Sequence, residues 1–224
     1  MRLLPWMSRL ATLLSFVAFV NPLGAEDKNY LVVFAAQAEG EAQFAHVFAS
    51  FVRIPEAPGA RAELCTISWL PKSMEVVVNR WQPEPGKNYD LRTTLEWAKR
   101  RGAQVTYCGP TMIQKELFDK ARAQEKKLAD GKPAFTARSA GFRPQEAIDC
   151  IHAVADVDCR EDMLEVTETM GRAAVHLVAR HFSKWMIEPR RMHAEILNHL
   201  GAQGFELWPA ETPASALTAL TQFR

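Results

Sequence analysis

Excess charge of either sign is missing from this chain: 27 lysines and arginines stand against 26 aspartates and glutamates, a formal charge of +1. Residues 1–25 carry Arg2 and Arg9 and no acid, so the remainder is close to neutral. Such a balance gives no electrostatic footprint for nucleic acid or for an anionic membrane surface, and neither partner is expected. Also absent are a phosphate-cradling P-loop, a G-x-G-x-x-G dinucleotide fingerprint and a G-x-S-x-G elbow, so no cofactor is expected. There is no internal repeat, no low-complexity tract and no long linker. With 224 residues, 48% hydrophobic and 24% charged, the composition is that of an ordinary globular chain able to bury a full core.

Long apolar runs are scarce. Leu10–Val20 follows the basic Arg2 and Arg9, and is shorter than the roughly 20 residues a membrane-spanning helix needs. Asn21-Pro22 breaks it and Leu23-Gly24-Ala25 offers a cleavage site, so residues 1–25 read as a secretory signal. The expectation is an exported protein, periplasmic or secreted, with no membrane span after signal removal. Residues 26–224 then form a single α+β domain with a small-residue tail from about Pro209.

The first half is patterned for strands. Asn29–Ala36 is an apolar run suited to burial on both faces. Gln43–Ile54 alternates, with Phe44, His46, Phe48, Ser50, Val52 and Ile54 on one face and Ala45, Val47, Ala49, Phe51 and Arg53 on the other. Pro55-Glu56-Ala57-Pro58-Gly59 turns the chain, and Ala62–Leu70 returns antiparallel. Met74–Trp81 reads as a third strand and Pro83-Glu84-Pro85-Gly86 as a loop.

Helices follow. Asp90 caps one that runs to Arg101 and stops at Gly102. Gln104–Cys108 is a short strand closed by Gly109-Pro110, after which Thr111 and Gln114 match a capping box for a long helix ending at Gly131. Ala134–Arg138 reads as a strand and Ser139–Pro144 as a loop. Gly171–Ile187 and the segment opened by Pro189 carry apolar residues at helical spacing, and Phe205–Trp208 an edge strand. The fold class is therefore α+β, an antiparallel sheet or small barrel packed with helices.

Among six histidines, His176/His181 and His193/His199 lack the spacing that places two ligands on one helical face. Cys150, His152, Asp156, Asp158 and Cys159 are ligand types close in sequence, but without a C-x-x-C pair or the glycine of a calcium loop, and no metal is expected. More telling is Asp149-Cys150-Ile151-His152-Ala153. Asp149 caps a short helix that starts on Cys150, where unpaired backbone N–H groups and the helix dipole favour a thiolate, while the Asp149 carboxylate opposes it. His46 is the upstream base such a nucleophile requires. The four cysteines, Cys65, Cys108, Cys150 and Cys159, equally permit two disulfides in an exported protein.

A histidine on an early strand, followed by a cysteine at a helix start within a polar-Cys-x-His-apolar string, resembles the circularly permuted papain-like (NlpC-type) superfamily. Its lecithin retinol acyltransferase branch has Asn-Cys-Glu-His-Phe where this chain has Asp149-Cys150-Ile151-His152-Ala153. The resemblance implies Cys150 as nucleophile, His46 as base, and Thr66 or Ser68 on the next strand as the orienting polar group. It implies a thiol-dependent amidase, peptidase or acyltransferase that attacks a small-molecule, peptide or lipid carbonyl. Asp149 in place of Asn and Ile151 in place of Glu depart from the pattern. The competing expectation is an exported non-catalytic binding or structural α+β protein whose cysteines form disulfides.

Overall fold

The computed structural model describes residues 26–39, 45–57, 59–77, 80, 82–131, 133–137, 147–158 and 171–210. The expected signal, the Ser139–Pro144 loop, Cys159 and most of the C-terminal tail lie outside them.

Strands β1 (Lys28–Gln37), β2 (His46–Ile54) and β3 (Glu63–Ile67) run as an antiparallel meander. The expected hairpin is present: Ser50 faces Thr66 and Phe51 faces Cys65. Both faces of β2 are buried because its alternation is apolar on each side. Val47, Ala49 and Phe51 enter one core; Phe48 and Val52 enter the other. Each large side chain so buried contributes about 1.5–3 kcal/mol.

After β3 the chain leaves this sheet at Ser68 and starts a second one with β4 (Trp69–Pro71). Its neighbour β5 (Glu84–Asn88) falls where a loop was expected from Pro83 to Gly86. Ladders this short lose little to Pro85, and the missing Cβ of Gly86 leaves room for the Trp69 ring against its backbone. The expected strand at Met74–Trp81 is absent among its described residues: Met74 has positive φ, and its carbonyl accepts from Trp97 Nε1 instead of a ladder partner. Asn88 ties the two sheets together, its amide accepting from Ser68 N–H and donating to the Thr66 carbonyl at 2.8 Å each.

Helix α1 (Leu91–Arg100) forms as the pattern predicts, with the Asp90 carboxylate accepting from Thr93 N–H. Strand β6 (Gln104–Ile113) runs five residues past the expected end at Cys108, pairing with β1 throughout across an irregularity between Leu31 and Val33. The Thr111–Gln114 capping box is therefore not made. Thr111 is a strand residue, and Gln114 caps α2 (Lys115–Ala129) without a side-chain bond. The buried face that Ile113 offers to the core outweighs the local helix-start signal.

Among the described residues of the strand expected at Ala134–Arg138, β7 takes Ala134–Phe135 and pairs in parallel with β8 (Ala147–Ile148). Helices α3 (Cys150–Ala155) and α4 (Gly171–His181) follow. The helix expected from Pro189 is replaced by an irregular strap and a 3-10 turn at Ala194–Leu200, and β9 (Leu207–Pro209) closes the sheet in parallel with β6. The result is an α+β architecture with two open sheets, ordered β3-β2-β1-β6-β9 and β4-β5-β7-β8. Among the described residues no barrel closes and no helix is long and apolar enough to cross a membrane. One face of the larger sheet packs on α2, α3 and α4, the other on α1 and the Ala194–Leu200 turn.

Candidate functional site

Asp149 caps α3 as its sequence predicts: its carboxylate accepts from His152 N–H at 2.8 Å. The same carboxylate holds His152 Nδ1 at 2.7 and 2.8 Å from its two oxygens, so the turn is locked by backbone and side chain together. The sequence placed His152 away from Cys150 without finding this bond. Its signal is a carboxylate at the cap with a donor side chain three residues on.

Cys150 opens the helix and turns its sulfur onto β2, where Sγ lies 3.9 Å from the Ala45 carbonyl. It packs with the core that holds Val47 and Ala49. The residue is half-buried, and enclosure of its sulfur, with the Asp149 carboxylate adding to it, pushes the thiol up to about 12; the amides of Val47, Cys150 and Ile151 pull the other way. The helix start favours thiolate less than enclosure disfavours it.

His46 is on the other side of the sheet. Its ring stacks on Phe48 (centroids 5.4 Å apart) and meets the edge of Trp97 from α1 (5.3 Å). Its Nε2 is 3.0 Å from Ser68 Oγ. Thr94 Oγ1 donates to Ser68 Oγ at 2.8 Å, and Ser50 Oγ is 3.1 Å from Thr66 Oγ1. The structure therefore gathers His46, Thr66 and Ser68 on one face, because the register sets Thr66 opposite Ser50, and leaves Cys150 on the opposite face. The expected dyad is not formed. The reason is strand parity: Cys150 packs with the core on the Val47 and Ala49 face of β2, while His46, next to Val47 along the strand, projects from the other face against Phe48 and Trp97.

No protein-family model, no curated protein and no solved structure matches this chain. What its site does must be read from its own geometry. The disulfide expectation fails for Cys65, Cys108 and Cys150, which are free thiols. Burial raises the first two as well. Among the described residues no three His, Cys, Asp or Glu side chains gather as a metal site. Asp158 instead accepts from Trp185 Nε1 at 2.9 Å and pairs with Lys184 at 3.2 Å.

Burial lowers His46 from 6.5 to about 3. Between those values the unfolded chain holds a proton that the folded ring does not. Stability is thus present above pH 6.5 and is lost as pH falls through this window. At pH 5 the loss attributable to His46 is about 2 kcal/mol. Urea unfolding at pH 5 and 7 measures it: His46→Gln is expected to remove about that much of the pH dependence, and an equal slope in both proteins would exclude the assignment.

Proposed function

We propose that this chain is an exported, non-catalytic α+β protein, a binding or structural module on a permuted papain-like plan, in which Cys150 is a packing thiol. The observation that carries this reading is the placement of Cys150 and His46 on opposite faces of β2. A thiol amidase or acyltransferase needs the base within about 3 Å of the sulfur, or within reach of it through one water. Here each partner is otherwise engaged, the sulfur with the Ala45 carbonyl and the imidazole with Ser68. The basic start, the apolar Leu10–Val20 and the Asn21-Pro22 break support export.

The test is turnover. With an activated ester and a peptide amide as substrates, the wild-type protein and Cys150→Ala are expected to give equal rates at every pH from 5 to 9. A tenfold or larger fall in Cys150→Ala would establish a catalytic thiol and overturn the proposal.

A further inference from the structure

Residues 186–193 form a strap along the edge of β6 that β9 does not cover. Met186 bridges to Ile113, Ile187 N–H donates to the Met112 carbonyl at 2.9 Å, and His193 N–H donates to the Pro110 carbonyl at 2.9 Å. Between these anchors the strap's backbone makes a turn, with Arg191 N–H donating to the Glu188 carbonyl. The far end of the strap thus depends on what fixes His193.

The His193 ring is buried, edge-on to Tyr30 of β1 with centroids 5.1 Å apart. Its Nε2 is 3.2 Å from Glu188 Oε2 and its Nδ1 is 3.3 Å from Glu195 Oε1. A neutral imidazole has one donor and one acceptor; only the imidazolium donates from both nitrogens. Two carboxylates facing the two nitrogens are therefore satisfied together by the protonated ring alone. Loss of the proton turns a lone pair towards one of them. The other charged or titratable groups at the ring are Arg191, which shares Glu188 Oε2 at 3.4 Å, and the Tyr30 phenol.

We propose that His193 is a proton-operated catch, which in its imidazolium form clasps Glu188 and Glu195 and holds the strap on β6, and on deprotonation releases it. Release uncovers the Pro110 and Met112 carbonyls along that edge. The catch also opens in acid, once the Glu195 carboxylate takes up a proton. Glu195 resists this, because hydrogen bonding to its own backbone N–H and the histidine beside it hold its carboxyl below the usual range. The strap is closed between these two limits.

Hydrogen exchange followed by NMR, corrected for intrinsic chemical exchange, tests the catch against the titration of the His193 ring protons. The Ile187 and His193 amides are expected to lose protection by about tenfold or more as the ring deprotonates, in keeping with the loss of a charge-assisted hydrogen bond. The Phe34 amide, in the central strand, should keep its protection. His193→Gln should abolish the pH dependence. Should that variant not fold, Glu195→Gln, on the exposed side of the ring, should shrink it, because an amide can turn to suit either state of Nδ1. Constant protection across the ring titration, an equal loss at Phe34, or an unchanged profile in Glu195→Gln would each overturn the proposal.

Discussion

Cys150 in the native protein is expected to alkylate about fiftyfold more slowly than a small thiol at pH 8. Two effects set the figure. Raising the thiol from 9.0 to about 12 lowers the thiolate fraction roughly a thousandfold. The more basic thiolate is intrinsically more nucleophilic, which with a Brønsted coefficient near 0.45 returns about twentyfold. The shape of the pH profile is as informative as the rate. A thiolate held by an imidazolium labels at a rate that is flat around neutrality, whereas Cys150 should still be climbing about tenfold per pH unit at pH 9. Limiting iodoacetamide, peptide mass mapping and a guanidinium-unfolded control measure both. Rapid labelling with a plateau below pH 7 would mean that a base reaches the sulfur after all.

The largest expected loss of stability comes from adding a single methyl group far from any candidate chemistry. A Cβ at Gly86 would coincide with the six-membered ring of Trp69, against its Cζ2, Cε2 and Cη2 atoms. Trp69 is fully buried and cannot swing aside as an exposed side chain does. Gly86→Ala is expected to cost about 3 kcal/mol or more, at the upper end of what overpacking a core costs. Thermal or urea unfolding reads the loss. Trp69→Phe removes the colliding atoms, so the double variant should be more stable than Gly86→Ala alone despite the cavity it leaves. A Gly86→Ala protein within 1 kcal/mol of wild type would show that the ring has room to move.

Much of the architecture was legible because it rests on local pattern. The alternation of Gln43–Ile54 forecast a strand with two distinct faces, which β2 has over His46–Ile54, and Asp90 and Asp149 announced helix starts that the structure keeps. Where the forecast failed, tertiary context overrode local chemistry. Thr111 and Gln114 have the letters of a capping box, yet pairing with β1 carries β6 through Ile113. Pro83-Glu84-Pro85-Gly86 reads as a loop, but Trp69 needs a partner strand without a side chain at residue 86. The candidate site was legible residue by residue and misread as a set. The register that pairs Ser50 with Thr66 brings His46, Thr66 and Ser68 together, and nothing in the sequence gives that register or says on which side of the sheet α3 docks. The His193 catch was invisible for a similar reason, since Tyr30 joins it from the far end of the chain.

The central position of β1 also shapes how the chain comes to be made. Its first edge is filled by β2, which follows closely in sequence, whereas its second edge waits for β6. A nascent chain that has completed β3 has its meander and nothing on the other side of Lys28–Gln37, an apolar strand with a full row of open N–H and C=O groups. All of β4, β5 and α1 must be synthesised before Gln104–Ile113 arrives to cover it. Such an edge is a template for a neighbouring copy, and pairing between segments so distant is slow to form. The interval between the emergence of Ile67 and that of Ile113 is therefore when this protein most needs protection from its own kind.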